Sequence, residues 1–219
     1  MHQLKLFHFP RACSRVTMCA LEHAGFEYDD QVVNIMKGEQ KSPDYLKINP
    51  SGQVPALLVD GDRNVVQNAS ILLFLHSLKP EAGLLPASDD LVEQAQQRSD
   101  LIWLSSTLHP MVRQVLMAMR FTDGDPSGVR AKGIEMLDAT LPGINARLAN
   151  ALWWYGEEWS IVDTYLSWAM GIALAGGYPV LEQPAIAGHL QRVMSMPAMQ
   201  TVMAREEAII AAHNIQFPS

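Results

Sequence analysis

Cysteine is nearly absent from this chain: Cys13 and Cys19 are the two in 219 residues. That excludes a disulfide framework and leads us to expect a reducing, cytoplasmic setting. Charge of one sign is not gathered into blocks, and the net charge is −7, which argues against a nucleic-acid surface. The start, "MHQLKLFHFPRAC", has no basic segment followed by an apolar run and so does not resemble a secretion signal. Long hydrophobic runs are also missing, with one near exception. Between Asp163 and Glu182 the stretch "TYLSWAMGIALAGGYPVL" carries no charge. Its Gly176-Gly177-Tyr178-Pro179 break and its capped start make it a buried core helix, not a membrane span. The seven histidines (2, 8, 23, 76, 109, 189 and 213) are scattered without ligand spacing, so no metal site is expected. No glycine-rich phosphate loop occurs. What remains is an ordinary globular composition, 48% hydrophobic and 18% charged, long enough for one large domain or two small ones.

The two ends of the chain follow different grammars. Up to about residue 80, strand and helix signals alternate. "QLKLFHF" sets Leu4, Leu6 and His8 against Lys5, Phe7 and Phe9 in a period-two strand. A helix from Ser14 to Ala24 follows, with Gly25 as its C′ residue. "FEYDDQVVNI" reads as a strand and "SPDYLKINP" as a short helical turn. "VPALLVDGDRNVVQN" reads as two strands joined at Asp60-Gly61-Asp62, and "NASILLFLHSL" as a helix. The order βαβαββα resembles the thioredoxin fold. Residues 81–88 form a linker, and 89–219 read as an all-α domain. Ser88 is the expected N-cap of a long helix through Arg120, bent at Pro110, whose missing N–H leaves the Ser106 carbonyl without a partner. Ile134, Leu137, Leu141, Ile144 and Leu148 form a helical stripe. Ser160 and Asp163 form a capping box, and two further helices open at Pro184 and Pro197.

Cys13 falls where the first strand gives way to the first helix. Amides and dipole at a helix N-terminus stabilise a thiolate, and Arg11 and Arg15 flank it. Cysteine is equally at home as a small buried residue, so both readings stand at this point. Cys19, about 600° further round the helix and roughly 9 Å higher, cannot close a disulfide with it and reads as core. Val54-Pro55 precedes a strand. In a thioredoxin-like fold such a proline is cis, which turns the backbone N–H and C=O of the preceding residue outward to meet an extended peptide. Gln67 and Asn68 sit at a strand-to-helix junction, an anion site with Asn68 as a possible N-cap.

Taken in order, "PRACSR", "KSPDYLKINPSGQVPALLVDG", "VVQNASILLFL" and "SIVD" resemble the cytosolic glutathione transferases over nearly the whole chain, and the first segment resembles the cysteine-type active site of the bacterial beta class. The resemblance implies that Cys13 is the active-site cysteine, with Ser14 as a backup hydroxyl and His109 reaching the site from the helical domain. It implies that Val54, beside Pro55, pairs with the cysteinyl part of glutathione, that Gln67 and Asn68 take the γ-glutamyl end, and that Lys41 and Gln53 take the glycyl carboxylate. Three positions depart from the pattern: Arg11 for glycine, Asn68 for serine, and Pro110 for lysine. The implied activity is glutathione transfer to small hydrophobic electrophiles, in a pocket between the halves lined by the 103–120 helix with Met111, Met117 and Met119, or thiol–disulfide exchange through Cys13. Glutathione is then the co-substrate, and the implied assembly is a homodimer. A non-catalytic binding protein of the same fold, or a dedicated glutathione-dependent isomerase, lyase or dehalogenase, are the alternatives.

Overall fold

The computed structural model describes residues 2–217. The chain divides into two compact units, one made of residues up to Leu84 together with those from Met196 on, the other of Leu85–Ser195. The first contains β1 (Leu4–His8), α1 (Ser14–His23), β2 (Asp29–Val32), α2 (Pro43–Ile48), β3 (Ala56–Val59), β4 (Arg63–Val66) and α3 (Asn68–Leu78). The sheet order is β2-β1-β3-β4. β1 runs parallel to β2 and antiparallel to β3, and β4 returns antiparallel to β3. This is the thioredoxin-like arrangement expected. The period-two pattern of β1 is real, but both of its faces are covered. Leu4, Leu6 and His8 are buried on one, while Phe7 on the other joins Val33, Tyr45 and Ala56 in a smaller cluster.

Local rules account for the joints of this unit. Gly25 adopts φ +61°, and the Phe26 and Gly25 amides reach back to the Leu21 and Glu22 carbonyls at 3.0 and 3.2 Å. That is a complete Schellman closure of α1. Ser42 caps α2 by accepting from the Tyr45 amide at 3.3 Å. The hairpin turn places Asp60 and Gly61 at φ +53° and +83°, which is why glycine stands in it.

The second unit holds α4 (Leu91–Trp103), α5 (His109–Leu116), α6 (Ser127–Ala149), α7 (Ile161–Ala175) and α8 (Pro184–Met194). The sequence reading of one long, bent helix is corrected here. Residues Leu104–Leu108 form a π-helical turn between α4 and α5, in which the His109 amide donates to the Leu104 carbonyl. Widening the turn just before Pro110 is how the chain passes a residue that cannot donate. The helical run then stops at Leu116, and Ala118–Arg120 is a 3₁₀ turn, so Met111, Met117 and Met119 do not form one stripe. Met111 is buried whereas Met119 is exposed. The N-cap of α4 is Asp90, accepting from Val92 N–H at 2.7 Å. Ser88 instead accepts from the Asp90 amide and donates to Glu93.

On α6, Leu137, Leu141, Ile144 and Leu148 are buried as the stripe requires. Ile134 is only half-buried, and the buried position beside it belongs to Gly133, where a Cβ would lie 2.9 Å from Gln114 Cβ. The capping box at the start of α7 forms in both directions. Asp163, fully buried, accepts from the Ser160 and Trp154 amides at 2.9 and 2.7 Å and from His189 Nε2 at 2.9 Å. Among the described residues, no helix is long and apolar enough to cross a membrane.

The last helix, α9 (Pro197–Ala212), is grouped with the first unit, whereas the sequence reading gathers 89–219 into one helical domain. Its ties to the first unit are ionic and specific. Arg205 reaches Glu22 at 3.1 Å and Tyr28 at 2.8 Å, and also pairs with Asp30. Asp30 in turn accepts from His8 Nε2 at 2.7 Å. These pairs hold the Asp30 carboxyl below its usual range, with the His8 hydrogen bond the largest cause.

Candidate active site

The first unit brings together, around the N-terminus of α1, most of the residues singled out above. Cys13 is the N-cap residue of α1 and is partly exposed. Its sulfur lies 3.5 Å from the Val54 carbonyl, to which the thiol donates. The Val54-Pro55 peptide is cis. Cys19, six residues on, is buried without exposure and belongs to the core.

Two of the expected roles change. Ser14 is fully buried. Its hydroxyl donates to the Phe9 carbonyl at 3.0 Å and accepts the Phe9 amide at 3.2 Å. A side chain closing the loop in this way is not a backup hydroxyl for the cysteine. Arg11 and Arg15 flank Cys13 in sequence, but their charges are answered elsewhere. Arg15 donates twice to Glu206, at 3.0 and 2.5 Å, and Arg11 reaches Glu207 at 3.0 Å. Cations paired to carboxylates project little net field onto a neighbouring thiol. The amides of Arg15 and Val16 are also engaged, with the carbonyls of Ala12 and Cys13.

Asn68 holds the cysteine from the other side. It is buried, donates from Nδ2 to the Cys13 carbonyl at 2.9 Å and accepts from Thr17 Oγ1 at 2.6 Å. It is the first residue of α3 and not its N-cap. Gln67 takes that place with φ +70° and ψ +122°, and no side-chain cap bond. A non-glycine residue in such a conformation persists only where its surroundings enforce it. The Gln67 side chain is exposed, while the Asn68 side chain is committed to the Cys13 carbonyl and Thr17.

The loop after α2 leads into Val54 and is closed by its own hydrogen bonds. The Gln53 carbonyl accepts from both Tyr45 Oη and Asn49 Nδ2 at 2.7 Å. Asn49 Oδ1 accepts from the Ser51 amide and hydroxyl at 3.1 and 2.7 Å. Burial pushes the Tyr45 phenol up, so it stays a donor. Gly52 has φ +61°, and a Cβ there would lie 2.7 Å from Lys41 Nζ and 2.8 Å from the Gln40 carbonyl. Only glycine allows this loop to close on the Gln40–Lys41 turn. Lys41 Nζ donates to the Ser51 carbonyl at 3.2 Å and its residue is exposed, leaving its ammonium two further hydrogens.

His109 belongs to the second unit. Its Nδ1 is 3.2 Å from the Tyr165 hydroxyl and its ring meets Trp168 edge-on at 4.4 Å. Burial, and then the charge of Arg113, lower its pKa from 6.5 to about 4, so the ring is neutral at physiological pH.

Sequence reasoning missed Asn49, Tyr45 and Glu206. The turn composition of "INPSGQ" is a signal for the first. Tyr45 and Glu206 act across the fold and leave no local signature.

Comparison with known proteins agrees with this architecture. The family model described as glutathione S-transferase, N-terminal domain, matches residues 2–77. The chain is 33% identical over 174 residues to a zeta class glutathione S-transferase of Euphorbia esula, spanning 75% of this chain and 73% of that one. It is 29% identical over 167 residues to maleylacetoacetate isomerase of Pseudomonas aeruginosa, covering 74% and 78% respectively. The crystal structure of a glutathione transferase homolog from Sulfitobacter, with bound glutathione, superposes with a TM-score of 0.83 at 26% identity, over 94% of this chain and 99% of that one. The chain belongs to the glutathione S-transferase family.

Proposed function

We propose that the protein is a glutathione-dependent transferase in which glutathione lies along Val54 with its sulfur at Cys13. One observation carries the reading: a partly exposed thiol at a helix N-terminus lies 3.5 Å from the carbonyl of a residue whose backbone borders a cis-proline. The Val54 backbone pairs with the cysteinyl residue of the tripeptide. The amides at the start of α3, with Gln67, receive the γ-glutamyl carboxylate, and Lys41 with Gln53 receives the glycyl carboxylate. A dianionic peptide is thus met by one cation, one helix end and one backbone edge.

The chemistry best suited to this sulfur is thiol transfer. The Cys13 thiolate attacks a glutathione mixed disulfide at the glutathionyl sulfur, forming Cys13–S–S–glutathione and expelling the other thiolate. A second glutathione thiolate then attacks the glutathionyl sulfur, giving oxidised glutathione and returning the Cys13 thiolate. Conjugation uses the same cradle: the bound glutathione thiolate attacks a small hydrophobic electrophile and a leaving group departs. The relative named maleylacetoacetate isomerase supports a second reading, in which glutathione adds to a conjugated double bond and is eliminated after rotation, unconsumed.

The working assembly is a homodimer in the cytoplasm. Exposed Leu91, Val92 and Ile102 on α4 offer apolar surface to a second copy.

Intact mass after incubation with oxidised glutathione tests the reading. The expected result is one glutathionyl group on the wild-type protein and none on Cys13→Ala. No adduct, together with ordinary conjugation of 1-chloro-2,4-dinitrobenzene, would falsify the covalent route.

A further inference from the structure

We propose that Glu206, on the last helix of the chain, is a positioning residue for Cys13. The inference rests on the reading of Cys13 as the reactive thiol. Glu206 is 1% exposed. A buried carboxylate is tolerated only when its oxygens are bonded, and both are. Oε2 takes the Arg15 guanidinium, and Oε1 takes the backbone N–H of Arg11 at 3.0 Å.

The second bond is the informative one. Arg11 lies two residues before Cys13 and adopts φ +63°, a left-handed conformation unfavourable to any residue with a Cβ. Here α9 and the segment after it supply the support: Glu206 holds the Arg11 amide, Glu207 holds its guanidinium at 3.0 Å, and the guanidinium lies over the ring of Phe217, beyond the helix, at 4.6 Å. The orientation of the Arg11 peptide sets the course of Ala12 and Cys13, and through them the place of Sγ against the Val54 carbonyl. Asn68 fixes the carbonyl of Cys13, and Glu206 fixes the approach to its amide side.

Docking α9 does not by itself require this bond. Arg205 already ties the helix to Glu22, Tyr28 and Asp30. A residue serving only to attach α9 has no need to place its charge on a main-chain N–H beside the thiol.

The test compares Glu206→Met, which keeps the volume and removes the acceptors, with Glu206→Gln, which keeps an oxygen for the Arg11 amide. Both lose the Arg15 ion pair and both melting temperatures fall, Glu206→Met further because it also leaves the Arg11 amide without an acceptor. Each protein is reacted with oxidised glutathione, which needs an aligned thiol, and with iodoacetamide, which needs only an accessible one. We expect Glu206→Met to form the glutathione mixed disulfide at least tenfold more slowly while its alkylation changes less than threefold. Glu206→Gln recovers most of the glutathione rate. Equal slowing with both reagents, or no rescue by glutamine, overturns the inference. Should Glu206→Met fail to fold, Glu206→Gln decides alone: a rate within threefold of wild type supports the proposal and a tenfold loss overturns it. A wild-type protein that alkylates at Cys13 but never forms the glutathione mixed disulfide removes the thiol-transfer reading, and this inference with it.

Discussion

Two carboxylates are sealed inside this protein among its described residues, one in each unit, and they are held by different means. Asp163 in the helical unit receives donors from Ser160, Trp154 and His189, all within 26 residues along the chain. Glu206 in the first unit receives Arg11 and Arg15, more than 190 residues away. The first is a staple at the mouth of a helix, satisfied mainly by neutral groups. The second joins the end of the chain to the loop that carries Cys13. A buried acid with neighbouring partners fixes local structure, whereas one with distant partners fixes the position of one segment relative to another.

The contrast can be broken by substitution. Asp163→Ala leaves the Ser160 and Trp154 amides buried without an acceptor, and should destabilise the protein by about 4 kcal/mol, read as a lower urea midpoint. A loss below about 1 kcal/mol would mean that the staple carries little of the unit's stability. Next comes the long-range pair. Arg15→Met strands the Glu206 charge and is expected to lose about 3 kcal/mol, while the double variant Arg15→Met/Glu206→Met loses less than the single one. Additive losses in that cycle would show that the two side chains do not act as a pair.

A smaller effect sharpens the view of the helical unit. His109 has a folded pKa of about 4 against 6.5, so between those values the unfolded chain binds a proton that the folded chain refuses. Stability is therefore complete above pH 6.5 and declines as pH falls toward 4. Thermal unfolding of wild type and His109→Gln across pH 4.5–7 should show the acid-side decline only in the wild type, beyond what other groups contribute to both.

What could be read from the sequence follows the same division. Signals acting within a few residues were visible: the Gly25 closure of α1, the Asp60-Gly61 turn, the Ser160–Asp163 box, and the prolines opening α8 and α9. Competition between neighbours already blurred the reading, since Asp90 and Ser88 both suit a cap and only geometry assigns the bond to Asp90. Pro110 announced a disturbance but not its form, because a bend and a π turn both relieve a missing donor. The pairing of Arg15 with Glu206, which withdraws a cation from Cys13, depends on tertiary placement and left no trace in either segment. For the candidate site, the cis bond at Val54-Pro55 beside the start of α1 was legible from the motif. That Ser14 and Asn68 turn their side chains inward was not, because motif spacing does not say which way a short polar side chain faces.

The account rests on the Val54 backbone beside the Cys13 sulfur as the place where glutathione lies. Backbone hydrogen exchange, followed residue by residue with and without glutathione, addresses this directly. The account predicts at least tenfold slower exchange of the Val54 amide when glutathione is added, with the Cys19 amide in the core unaffected. An unchanged Val54 amide under conditions where the protein turns glutathione over would contradict it.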